Sequence, residues 1–106
     1  MGKPQRIFIS IPMCGKSNEK ILLALDRISR ELMNLYGEDT EIVDGWDSNR
    51  DKRDPLDLMG AALQEMSKCD TVYMARGWSS ARGCKLEYMA AREYGKTIIY
   101  EDKGAI

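Results

Sequence analysis

Two hydrophobic periodicities take turns along this chain. Arg6-Ile7-Phe8-Ile9-Ser10-Ile11 is a β-branched and aromatic run closed by Pro12, the pattern of a buried strand. Between Ser17 and Tyr36 the period lengthens: Ile21, Leu25, Ile28, Leu32 and Leu35 recur every three or four residues. That spacing predicts a helix, with Ser17 or Asn18 as its N-cap and Gly37 just past its end. Thr40-Glu41-Ile42-Val43-Asp44 predicts a short second strand, and a charged loop runs from Gly45 to Asp54. Asp54-Pro55-Leu56-Asp57 opens a second helix, with an acceptor at the N-cap, proline at the first helical position and a carboxylate near the positive helix end. Its expected core stripe is Leu56, Met59, Leu63 and Met66. Thr71-Val72-Tyr73-Met74-Ala75 predicts a third strand and Arg76 to Ser80 a turn. A third helix is expected from about Ala81 to Tyr94, ended by Gly95, and Thr97-Ile98-Ile99-Tyr100 closes the chain's last strand.

The order is therefore βαβαβαβ, without repeats or low-complexity segments. Strands separated by helices need right-handed crossovers, which predicts a parallel sheet with helices on both faces. In such sheets ligands sit beyond the carboxyl ends of the strands, where the winding direction switches. Three loops gather at that edge: Pro12 to Asn18, Gly45 to Asp54, and Arg76 to Gly83.

At 106 residues the chain is long enough for one domain. Sixteen Lys and Arg nearly balance seventeen Asp and Glu, for a net charge of -1, so no global field favours a nucleic-acid polymer or an anionic membrane. There is no histidine. Ser-His-Asp and Cys-His nucleophiles, His-ligated zinc and His general bases are thereby excluded, and acid–base work falls to carboxylates, Tyr, Cys or Lys. Cys14, Cys69 and Cys84 are odd in number and never spaced C-x-x-C, which reads as reduced thiols of a cytoplasmic protein rather than a disulfide scaffold or a metal site. No run approaches the roughly 18 apolar residues of a membrane span. The first residues, Met1-Gly2-Lys3-Pro4-Gln5-Arg6, lack a signal-peptide core. The seven methionines mostly fall at core spacing and call for no cofactor.

Candidate chemistry concentrates in the three loops. Ile11-Pro12-Met13-Cys14-Gly15-Lys16-Ser17 contains Gly-Lys-Ser, but a P-loop needs glycine where Ser10 stands. The turn is either a plain connection or one whose backbone N–H groups meet an anion or a base. Arg76-Gly77-Trp78-Ser79-Ser80-Ala81-Arg82-Gly83 brings hydroxyls, guanidinium groups and glycines to a helix start. There they form either an anion site, with Arg76 or Arg82 as a bidentate contact, or an ordinary helix start with solvated arginines. Asp44 and Asp47 flank Trp46, which makes a solvated loop or a place to stack and hydrogen-bond a base. Asp70 lies at the opposite end of its strand and reads as a turn or capping residue. Glu87 shares a helical face with Gly83, Cys84, Ala91 and Tyr94, all small or weakly polar. It is either a surface residue paired with Lys85 or Arg92, or a nucleophile or base whose burial raises its pKa.

Three segments resemble the nucleoside 2-deoxyribosyltransferase-like superfamily. They are the opening strand and Pro-containing loop Ile7-Phe8-Ile9-Ser10-Ile11-Pro12-Met13, the strand Cys69-Asp70-Thr71-Val72-Tyr73-Met74, and the turn and helix from Ser79-Ser80-Ala81-Arg82-Gly83-Cys84 through Lys85-Leu86-Glu87-Tyr88-Met89-Ala90-Ala91. Gly95 to Tyr100 is similar to the superfamily's closing strand. The chain looks closest to a small branch found in bacteria and their phages. The resemblance implies a three-layer αβα sandwich on a four-stranded parallel sheet, doubly wound in the flavodoxin or Rossmann manner. It also implies cleavage or exchange of the N-glycosidic bond of a deoxynucleotide or deoxynucleoside, without metal or cofactor.

Under that resemblance Glu87 matches the nucleophile that attacks C1′, and Asp47 is the candidate acid for the leaving base. Ser79, Ser80 and Arg82, in the turn with Gly77, Trp78 and Gly83, stand where relatives hold a 5′-phosphate. Pro12, Met13, Cys14 and Gly15 approach the base or sugar beside Trp46. A homodimer or higher oligomer is implied, with residues 102–106 as donors to a neighbouring subunit. Two departures, Ile11 where relatives carry Gly before Pro and the short chain, favour the alternative of a nucleotide-binding protein without turnover. A phospho-receiver or flavin module fits less well, because the first strand ends without an acidic cluster or a Ser/Thr-rich loop.

Overall fold

Parallel pairing of four short runs builds the sheet in a computed structural model that describes residues 6–101. Strands β1 (Arg6–Ser10), β2 (Glu41–Asp44), β3 (Thr71–Met74) and β4 (Thr97–Tyr100) lie in the order β2-β1-β3-β4. Helices α1 (Asn18–Tyr36), α2 (Pro55–Ser67) and α3 (Arg82–Glu93) make the connections. The first connection steps from β1 out to β2; the second returns across β1 to β3 and the third continues outward to β4. Right-handed crossovers then put α1 on one face and α2 with α3 on the other, a three-layer doubly wound sandwich. Met1 to Gln5 and residues 102–106, including the expected subunit-bridging tail, lie outside the described residues.

The period of two in the central strands divides the core. Ile7, Ile9, Tyr73 and Ala75 pack with Ile21, Leu25, Ile28 and Leu32 of α1. Phe8, Val72 and Met74 pack with Ala62 and Met66 of α2 and Cys84 and Ala91 of α3. The edge strands are only partly covered, as their shorter apolar runs imply. Ser10 continues the Phe8 face and pairs in register with Met74, so its side chain turns toward α3.

The caps follow the local chemistry. The Ser17 hydroxyl accepts from the Lys20 N–H, and Asp54 accepts from Leu56 and Asp57 ahead of Pro55. Gly37 closes α1 through its N–H to the Met33 carbonyl, and Gly95 takes up a left-handed φ of 75° after α3. Strands β1 and β3 each end one residue short of the run expected from sequence, at Ser10 and Met74, and four further expectations are corrected. Strand β2 starts at Glu41, because the Thr40 N–H closes a turn onto Gly37. Helix α3 ends at Glu93, with Ala81 and Tyr94 as its caps. Leu35 and Leu56, placed in core stripes by their spacing, are 73% and 76% exposed. Each sits in a terminal turn of its helix, and at the end of α1 it is Tyr36 rather than Leu35 that packs against the core.

Candidate functional site

The topology reverses between β1 and β3, whose carboxyl ends carry Ser10 and Met74 side by side; the Ala75 N–H donates to the Ser10 carbonyl at 2.9 Å. Pro12 leaves β1 directly beside Gly77, which holds the turn after β3 at φ 88°, where only glycine sits without strain. Between these turns and the starts of α2 and α3 opens a cleft of about 1120 Å³. All three expected loops contribute to its wall.

Glu87 lies at the bottom. Its helix turns it inward with Cys84 and Ala91, three residues before and four after, and it is only 8% exposed. The Ser10 hydroxyl donates to Glu87 Oε1 at 2.6 Å. The second carboxylate oxygen has no protein partner among the described residues and is open to the cleft. Burial pushes the carboxyl up to about 7, against the opposing effect of the Ser10 hydrogen bond. Neither Lys85 nor Arg92 pairs with it, so the surface alternative is excluded. Tyr94, expected on the same face, is 83% exposed because it stands past the last turn of α3. Cys84, also against Ser10, is a buried thiol pushed up to about 11 chiefly by desolvation, which leaves it unreactive at neutral pH.

Helix α3 begins at the cleft with no capping side chain and no acidic residue in its first turn. Arg82 projects there without a protein partner among the described residues, and Ser80 and Gly83 line the same wall. A Cβ at Gly83 would come within 3.2 Å of the Met59 methyl, so the glycine lets α2 and α3 close on each other at the wall. Backbone N–H groups and one guanidinium suit an anion at this end.

A match to the family model described as a domain of unknown function, DUF4406, covers residues 5–100. The chain belongs to the DUF4406 family. No curated protein and no solved structure matches it. The DUF4406 match runs from β1 through β4 and so contains the whole cleft.

Within this DUF4406 domain the candidate residues separate into two groups. Pro12, Met13, Cys14, Ser80, Arg82, Gly83 and Glu87 all line the cleft. Trp46, Asp47, Gly15, Gly77, Trp78 and Ser79 do not. Trp46 packs on the α1 side and donates its indole N–H to Asn18. Trp78 stacks on Tyr88, ring centroids 4.7 Å apart, and lies near Tyr100, which turns it away from the cleft. Ser79 is solvent-exposed, and Arg76 lies outside the cleft with its backbone N–H on Glu101. Asp47 accepts from the Asn49 N–H at 2.7 Å and pairs with Arg53; both hold its carboxyl below the usual range. An acid held ionised in this way, outside the cleft, is a poor proton donor to a leaving base, which weighs against the role expected for Asp47.

Two residues of the site escaped sequence reasoning. Ser10 registered only as a missing glycine. The signal was a lone hydroxyl at the last position of an otherwise apolar strand, on the face that α3 covers. Arg50 sat unremarked in a charged loop, yet it clamps the first turn: it donates to Asn18 Oδ1 at 2.8 Å, to the Met13 carbonyl at 3.3 Å and to the Lys16 carbonyl at 2.6 Å. Among the described residues no cluster of His, Cys, Asp and Glu could hold a metal, and no helix is long and apolar enough to cross a membrane.

Proposed function

We propose that the protein cleaves or exchanges the N-glycosidic bond of a deoxynucleotide or deoxynucleoside, with Glu87 as nucleophile, as in the nucleoside 2-deoxyribosyltransferase-like superfamily. The observation that carries this reading is a buried carboxylate with one oxygen fixed by Ser10 and the other open to a cleft at the sheet's switch point. The free oxygen attacks C1′ of the sugar, the C1′–N bond breaks, and its electron pair departs with the base, which takes up a proton. Water or a second base then attacks C1′ and releases the carboxylate. The route follows retaining glycosidases, with an oxocarbenium-like transition state, and needs neither histidine nor metal. The uncapped start of α3 with Arg82 and Ser80 supports a 5′-monophosphate over a free nucleoside. A homodimer fits the exposed Leu56 and Leu86 at the cleft mouth.

A second reading, binding of a nucleotide without turnover, is favoured by the engagement of Asp47 with Arg53, which leaves the departing base without its expected acid. One experiment separates the two. The purified protein is incubated with each of the four deoxynucleoside monophosphates and each of the four deoxynucleosides, with and without an acceptor base, and free base is followed by chromatography. Release by the wild type and none by Glu87→Ala is the expected result. No release from any substrate refutes the enzyme, and retained nucleotide affinity in Glu87→Gln then identifies a binder.

A further inference from the structure

The floor of the cleft holds a three-residue contact that the nucleophile reading leaves unused. Ser10 Oγ stands between Glu87 Oε1, at 2.6 Å, and the buried Cys84 thiol. A hydroxyl has one proton to give, and a carboxylate is a better acceptor than a thiol, so the proton goes to Glu87. Strand β1 fixes the donor rigidly: Ser10 is fully buried and its carbonyl is held by the Ala75 N–H. The charged groups at the cleft wall are Arg50, Asp51, Asp54 and Arg82; Arg50 is spent on the first turn and Asp54 on capping α2. Ser10 is therefore the polar group in direct contact with the Glu87 carboxylate.

We propose that Ser10 is the positioning residue of this site, holding Oε1 so that Oε2 alone meets C1′ and assisting departure of the carboxylate in the second step. The inference rests on the glycosidic reading above. When Oε2 bonds to C1′, Oε1 becomes the carbonyl oxygen of the glycosyl ester and still accepts from Ser10. When water attacks C1′, the C1′–Oε2 bond breaks and its electron pair returns to the carboxylate, while the water proton passes to solvent. Negative charge grows on the carboxylate in that step, and a preorganised donor stabilises it as it grows. In the first step the same bond is to a charge being consumed, so Ser10 favours release over formation of the ester.

Two measurements test this on Ser10→Ala and on Ser10→Thr, which keeps the hydroxyl. The first follows the Glu87 side-chain carboxyl by carbon NMR across pH. The expected midpoint rises by about one pH unit in Ser10→Ala, from loss of a hydrogen bond to a charge, and stays near wild type in Ser10→Thr. The second is intact mass during turnover of a deoxynucleotide. Ser10→Ala is expected to accumulate the covalent sugar adduct, with release slowed about tenfold, and Ser10→Thr is not. An unchanged midpoint in Ser10→Ala overturns the inference whatever the activity. A raised midpoint with both steps slowed equally overturns the part played in release. If the wild type turns over no substrate, the glycosidic reading fails and the release step with it, while the titration still decides whether Ser10 governs Glu87.

Discussion

Replacing Glu87 by Gln tests how far burial rules this carboxylate, through folding stability alone. Gln keeps the shape and the acceptor for Ser10 but removes the titration. The carboxyl rises from 4.5 to about 7 on folding. At about 1.4 kcal/mol per pH unit this difference is worth about 3 kcal/mol. The folded-state value lies above the unfolded one. Through that window the folded protein therefore holds a proton that the unfolded chain has already lost, and stability falls as pH rises. Below about pH 4 both states are protonated and this contribution vanishes; above about pH 8 it is fully present. The stability of Glu87→Gln relative to wild type should thus climb by about 3 kcal/mol between those limits. Urea unfolding followed by tryptophan fluorescence at several pH values measures it, with the difference between the two profiles isolating this one group. Parallel profiles would mean that the carboxylate is solvated in both states, and the buried site would be refuted.

Two further outcomes follow from the same geometry. In the proposed mechanism only ionised Glu87 attacks C1′, so kcat/KM for base release should rise through about pH 7. A rate that instead falls across that range would make Glu87 a proton donor. Arg50→Ala removes three hydrogen bonds to the turn after β1. Hydrogen exchange at residues 13–18 should accelerate at least about tenfold while the amides of β1 keep their protection. Unchanged exchange in the turn would show that Arg50 does not hold it.

The layers were legible because each central strand is apolar on both faces and α1 repeats Ile21, Leu25, Ile28 and Leu32 on one side. Leu35 and Leu56 misled because the spacing runs on to the helix ends while the packing there does not follow it; in the last turn of α1 Tyr36 makes the core contact instead. The same limit applies to the site. Glu87 stood out in sequence because its helical face is otherwise small or apolar. Its partner Ser10 lies 77 residues away on another element, and only the pairing of β1 with β3 brings the two together. Asp47 and Trp46 were read as site residues because their loop leaves β2 at the correct edge. That loop instead folds on itself through Arg53 and Asn49 and is tied to the start of α1 by the bond from Trp46 to Asn18.

The two carboxylates at this edge show why the edge alone does not make a site. Asp47 meets an N–H group and a guanidinium and is held ionised; Glu87 meets a hydroxyl in a desolvated floor and is pushed toward neutral pH. A cation in place of Ser10 would pin Glu87 in its charged form, satisfied and a weaker nucleophile. An apolar residue there would raise its titration further and leave less of it ionised at neutral pH. A single neutral donor is the intermediate case: enough to orient the group and admit its charge, too little to quench it. The environments that drive two nearby acids in opposite directions assign their roles more firmly than their positions on the chain. By that criterion the proposed chemistry falls to Glu87 in the cleft, while Asp47 is engaged within its own loop.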